Sequence, residues 1–271
     1  MEIATVAMTP DKDPEISLSR LLGWMRRVRN DHPRVRLIHF GETILGWFHH
    51  PPDSAAYHAS IAEPIPGAIT EMIAAEARTL DLAVSFGMTE KTADGLYNAQ
   101  VLISSDGTIA AVHRKFNLRS TAFHAGPQRV TFAEVEGLRV ALLICADLRR
   151  LRAWRTLRAH GVDLLLASLA DYATDVRLNQ LLGCLPDAWC AVSNRFSTEA
   201  GRHWPGLITL TGPLGRLHGS AVGAESVLVK RIPVSRPCRW SRVIRRTTAA
   251  FRLLGLLCLL AASSLRRHEK P

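Results

Sequence analysis

The sequence predicts an α/β protein built on mixed sheets, and three observations lead there. Short β-branched or apolar runs alternate with longer helical patterns through the first part of the chain. Later strand-like runs follow one another through turns, so some neighbours pair as hairpins rather than through helical crossovers. A chain of 271 residues, 47% of them apolar, is long enough to bury a sizeable core. Together these features argue for an α/β sandwich with mixed sheets and against a purely parallel Rossmann sheet.

In chain order, EIATVAM (2–8) reads as a strand and 15–30 as a helix. RVRLIHF (34–40) is the next strand, 66–80 the next helix, and LAVSFGM (82–88) a third strand. YNAQVLIS (97–104) and TIAAVH (108–113) flank SSDG at 104–107, whose turn residues join them as a hairpin. LRVALLI (138–144) leads to a helix at 148–160, and VDLLLAS (162–168) to one at 174–187. WCAVSN (189–194), LITLT (207–211) and SVLVKRI (226–232) complete the strands. LTGPLGRLHG (210–219) has neither phosphate-loop nor dinucleotide-loop spacing, so it reads as a hairpin turn.

Charge divides the chain near Ser235. Residues 236–271 hold nine Lys or Arg against one acid, Glu269, while residues 1–235 hold 25 basic against 23 acidic residues. The net +10 is therefore a property of the tail, and the nearly neutral body gives no case for nucleic-acid binding. One domain at 1–235 with a basic and apolar extension at 236–271 is the expected organisation. No uncharged apolar run reaches 18 residues, which excludes a polytopic membrane protein. Five unevenly spaced cysteines and an N-terminus without a signal-peptide pattern predict a cytoplasmic protein with free thiols.

Three strand ends carry chemistry. RVRLIHF leads to Glu42, IAAVHR to Lys115, and VALLI to Cys145. Ligands gather beyond the carboxyl ends of strands in open α/β sheets, so the three can converge. A thiol to attack a carbonyl, a carboxylate to shuttle its proton and an ammonium to hold the oxyanion suffice for acyl transfer. On spacing alone a loop carboxylate, a solvated or salt-bridged lysine and an inert core thiol are the commoner roles. Against this, the helical pattern after Cys145 would favour a thiolate at its N-terminus. With 29 Arg but five Lys in the chain, Lys115 also stands out by its type.

In this order the motifs resemble those of the nitrilase superfamily of carbon–nitrogen hydrolases. FGETILGWF (40–48) resembles its first motif with Glu42 as general base, HRKFNL (113–118) the lysine motif with Lys115, and LLICADLR (142–149) the nucleophile motif with Cys145. GMTEKTADGLYNAQVLISSDG (87–107), GVDLLL (161–166), AVSNR (191–195) and ESVLVKRI (225–232) are similar to further family segments, so the likeness covers about 2–235. It implies a four-layer α-β-β-α sandwich and a covalent mechanism. Cys145 forms a thioester from a small linear amide or N-carbamoyl compound, breaking a non-peptide C–N bond, while Lys115 and the backbone N–H of Ala146 hold the oxyanion. It also implies at least a homodimer.

One position departs from the pattern. The family carries a second glutamate about eight residues after the lysine, but no acid lies anywhere from 116 to 133. A non-catalytic binding homologue and an acyltransferase built on the same triad are therefore the alternatives to an amidase. His49-His50 reads as a polar loop at the pocket entrance, and no motif calls for a metal or cofactor. The ten-residue uncharged core of the tail, 253–262, spans only about 15 Å as a helix, too short to cross a bilayer. Flanked by basic residues, it suits either peripheral contact with an anionic membrane or docking against protein.

Overall fold

Period-two alternation along the strands builds the layers. The structure, a computed structural model, describes residues 1–118, 120–184 and 187–233. One sheet runs β14 (Ser226–Arg231), β1 (Glu2–Ala7), β2 (Val35–His39), β3 (Ala83–Thr92), β4 (Gly95–Ile103), β5 (Ile109–Arg114), with β1, β2 and β3 parallel and the other pairs antiparallel. The other runs β13 (Leu217–Ala221), β12 (Ile208–Thr211), β9 (Trp189–Asn194), β8 (Leu164–Leu169), β7 (Leu138–Ile144), β6 (Thr131–Val135). Again the central three strands are parallel and the outer pairs antiparallel.

Ile3, Leu37 and Leu102 of the first sheet meet Val140, Leu142, Leu164 and Leu166 of the second in one core. Their chain neighbours point the other way. Ala4, Val6, Ile38 and Val101 pack under α1 (Pro14–Asp31) and α3 (Ala68–Leu80), whereas Ala141, Leu143, Leu165 and Ala167 pack under α4 (Leu151–His160). The architecture is the expected four-layer α-β-β-α sandwich. α5 (Val176–Cys184) lies beyond β8, and a separate hairpin pairs β10 (Phe196–Glu199) with β11 (Arg202–Pro205).

Toward the carboxyl ends of the parallel strands the layer between the sheets turns polar, with Thr5, His39, Ser85, Gln100 and Ser193 all buried. The Thr5 hydroxyl donates across the layer to the Val192 carbonyl (3.0 Å), and Ser193 donates back to Val6 (2.6 Å). These bonds fix one sheet on the other, and with it the relative placement of their strand ends.

All ten expected strands and all four helices are present, and the SSDG hairpin closes through bonds between Ser104, Gly107 and Thr108. The third expected helix needs correction. Cys145–Arg149 forms a single 3-10 turn, and α4 begins only at Leu151, so no α-helix N-terminus faces the thiol. The hydrophobic tail and the division at Ser235 lie outside the described residues. Among the described residues, no helix is long and apolar enough to cross a membrane.

Candidate active site

Register brings the three strand ends together. Ile144, Ser168 and Ser193 are aligned across β7, β8 and β9, so the residues that follow leave the sheet side by side. In the facing sheet Ala99 pairs with Arg114, and the Lys115 N–H continues the ladder to the Asn98 carbonyl at 2.9 Å. Alternation then separates two basic neighbours. Arg114 turns outward to a two-pronged ion pair with Glu90 (2.6 Å each), and Lys115 turns inward. Glu90, thus engaged, is no substitute for the missing second glutamate.

Glu42 sits in the turn after β2 and is fully buried. Its Oε1 accepts from the Lys115 ammonium (2.5 Å) and the Asn98 side chain (2.7 Å), and its Oε2 from the Ala170 N–H (2.9 Å). A buried carboxylate needs such partners, because leaving one unpaired costs several kcal/mol. The turn is packed against backbone: a Cβ added at Gly87 would lie 2.3 Å from the Thr43 nitrogen, so only glycine fits there. Thr43 itself adopts a left-handed φ of 44°, uncommon for a β-branched residue.

Cys145 follows β7 directly, also with a left-handed φ, 42°. Such conformations cost about 1–3 kcal/mol and persist only where the surroundings impose them. Here Asp147 does so. Its carboxylate accepts from the Ile144 N–H behind the cysteine and from the N–H groups of Phe116 (3.2 Å) and Asn117 (2.7 Å), which follow Lys115. Buried His113 adds a fourth contact at 3.0 Å. One side chain thus ties the thiol-bearing turn to the lysine-bearing turn.

Electrostatics at the thiol run against ionisation. Burial, reinforced by the Glu42 carboxylate, pushes the Cys145 thiol up to about 12, while Lys115 pulls partly the other way. The expected thiolate stabilised by a helix end is therefore not what the structure holds. Burial opposes the Lys115 charge too, but Glu42 outweighs it and holds the ammonium above its ordinary value.

Cys145, Ala146, Lys115 and Asn98 line a cavity of about 450 Å³, with Glu42 directly behind the lysine. Phe48, Phe123 and Tyr172 supply apolar wall, and His49, Arg149, Arg202 and Asp171 its further titratable groups. A larger cavity, about 590 Å³, lies beside α4 and β6 around Phe116, Phe132 and Leu151. Its described lining holds no thiol, lysine or carboxylate, so chemistry rather than volume selects the smaller one.

The family model for carbon–nitrogen hydrolases matches residues 2–207. The chain belongs to the carbon–nitrogen hydrolase family. It is 31% identical over 161 residues to an (R)-stereoselective amidase of a Pseudomonas species, covering 58% of this chain and 56% of that one. It is 31% identical over 130 residues to an omega-amidase of Bos taurus, covering 42% and 46%. The chain thus matches about half the length of these relatives. Its fold is that of a Nesterenkonia AN1 amidase from the nitrilase superfamily, with a TM-score of 0.74 at 19% identity over 86% of this chain and 92% of that one.

In this member of the carbon–nitrogen hydrolase family the structure brings Glu42, Lys115, Cys145 and Ala146 together. It also adds residues that sequence reasoning left without a role. Asn98 binds the carboxylate, Asp147 joins the turns, and fully buried Arg195 braces the Glu42 turn. The Arg195 guanidinium donates to the carbonyl of Gly46 (2.7 Å) and the hydroxyl of Thr43 (3.1 Å) and pairs with buried Glu199. Glu199 in turn accepts from the Phe48 and His49 N–H groups (2.8 and 3.0 Å). Arg195 and Asn98 stood inside segments similar to the family, AVSNR and YNAQ; the signal was there, but no spacing told what they bind. Arg149, which ends the nucleophile motif, forms no ion pair among the described residues and lines the cavity.

Proposed function

We propose that the protein hydrolyses the C–N bond of a small linear amide or N-carbamoyl compound through a thioester at Cys145. The observation that carries this reading is a thiol and an ammonium lining one cavity, with a fully buried carboxylate 2.5 Å behind the ammonium. As the sulfur attacks the carbonyl carbon, its proton passes to Glu42, and the oxyanion is held by Lys115 and the Ala146 N–H. The C–N bond breaks as that proton passes to the departing nitrogen, leaving the thioester. Water then attacks, Glu42 takes its proton and returns it to the sulfur, and the acid leaves. A cavity of about 450 Å³ suits a compact substrate.

A structural neighbour supports a reactive cysteine in this fold. A mutant of the Nesterenkonia amidase shows covalent addition of the acetamide moiety of fluoroacetamide at the active site cysteine. The test is mass spectrometry and ammonia release with a panel of amides, comparing wild type with Cys145→Ala. A Cys145 acyl adduct that hydrolyses, absent in the variant, is the expected result. An adduct stable until an amine acceptor is added would indicate acyl transfer, and no adduct with any amide would overturn the catalytic reading.

A further inference from the structure

The loop from 116 to 133 has no acid, yet the cavity is not without a second carboxylate. Asp171, just beyond β8, is the one acidic residue among the described side chains that line it. Its backbone is held from both sides by buried Asn194, whose Oδ1 accepts the Asp171 N–H (3.1 Å) and whose Nδ2 donates to the Asp171 carbonyl (2.8 Å). The preceding residue, Ala170, donates its N–H to Glu42. One short segment therefore serves the general base with residue 170 and the cavity with residue 171.

The Asp171 carboxylate is underused by the fold. One oxygen accepts a long bond from the Ala173 N–H (3.3 Å), and no cation pairs with it among the described residues. Its negative charge raises the Cys145 thiol, with which it shares the cavity wall. A bound amide has two ends to satisfy. Its carbonyl oxygen meets the donors Lys115 and Ala146, and its N–H groups need an acceptor, because a buried unpaired donor is costly. Glu42 already accepts three bonds.

We infer that Asp171 supplies the second carboxylate of this site from the opposite sheet, accepting the N–H of the scissile amide and orienting its carbonyl toward Cys145. The inference rests on the amidase reading for its biology, but its test does not depend on turnover. Asp171 acts in this role as an acceptor alone, so no proton or electron changes hands at it; it fixes the nitrogen while the sulfur attacks.

The experiment compares two probes of the Cys145 thiol, one with N–H donors beside the carbonyl and one without: chloroacetamide and methyl chloroacetate. In both, sulfur displaces chloride at the CH₂ carbon and the thiol proton is lost. Alkylation rates are read by intact-protein mass spectrometry for wild type, Asp171→Ala and Asp171→Asn, each normalised to a free thiol. Loss of a charge-assisted acceptor is expected to lower the amide-to-ester rate ratio about tenfold or more in Asp171→Ala. Asp171→Asn, which keeps a carbonyl acceptor, should fall between. An unchanged ratio, or equal slowing with both probes, overturns the proposal, since a merely structural role would not distinguish amide from ester. Wild type that shows the ratio but releases no ammonia from any amide would instead count against the hydrolase reading alone.

Discussion

Replacing Arg195 tests whether the Glu42 turn is held by a buried charge pair. The guanidinium is fully buried, and burial draws its pKa down even as Glu199 and Glu42 support the charge. Arg195→Met removes the donors to Thr43 and Gly46 and leaves the Glu199 carboxylate buried without its cation. Breaking a buried pair from one side costs about 3–5 kcal/mol. Set against a total stability of about 5–15 kcal/mol, that is a large fraction. Urea unfolding should therefore show a markedly lower midpoint with an unchanged slope. The double variant Arg195→Met/Glu199→Gln removes both charges while Gln can still accept from the Phe48 and His49 N–H groups, so most of the loss should return. Activity should not return with it, because the Glu42 turn still lacks its brace. A double variant as unstable as the single one, or a single variant losing less than about 1 kcal/mol, would refute the charge-pair reasoning.

Three further outcomes follow from particular contacts. Gly87→Ala places a methyl group within 2.9 Å of backbone atoms of Gly41, Glu42 and Thr43, so the base must shift; steady-state kinetics should show about a 100-fold loss, far beyond the change in unfolding midpoint. His39 and His58 are both lowered to about 4, chiefly by burial, so the folded protein holds them neutral where the unfolded chain is protonated. Their contribution is whole above pH 6.5 and is lost as pH falls toward about 4, up to about 3 kcal/mol each, and His39→Gln should flatten the acid limb of a stability–pH curve. The extension at 236–271 is expected to carry the full chain, but not a 1–235 truncation, upward with anionic liposomes in flotation; equal behaviour of both, with a dimer seen only for the full chain in sedimentation, would assign the segment to subunit docking.

The legible part of the fold was the part built on buried strands. β1, β2, β7, β8 and β9 are covered on both faces and read as apolar runs, which is why they were placed within a few residues. β6, β10, β11 and β13 were missed because edge and hairpin strands keep one side open and carry polar residues, as in FSTE, RHWP and LHGSA. The short helix α2 (Ser54–Ile61) buries only Tyr57 and His58, too few to leave a helical period. Polar residues 89–92 concealed the far end of β3, whose hairpin partner β4 satisfies them instead of a core. At the site, reactive residue types at strand ends could be seen in the sequence. Their supports could not, since Asn98 lies 56 residues and Arg195 153 residues along the chain from Glu42, and only the folded sheets bring them to it.

The raised thiol decides how the nucleophile must be activated. Burial and the Glu42 charge push Cys145 up to about 12, so its resting form at neutral pH is the thiol. On the proposed mechanism proton transfer to Glu42 accompanies attack, and the carboxylate that raises the thiol is also the group that removes its proton. Glu42→Gln separates these two effects. The amide can still bind Lys115 and Asn98 in place, yet it takes no proton, and it removes a negative charge beside the sulfur. Amide hydrolysis should fall about 10²–10⁴-fold, the usual worth of a positioned base. Alkylation of Cys145 by chloroacetamide should instead ionise with a lower midpoint than in wild type, so the variant overtakes it as pH rises. A variant that keeps hydrolysis within a few-fold, or whose alkylation midpoint stays where it was, would show that Glu42 neither takes the proton nor sets the thiol's charge.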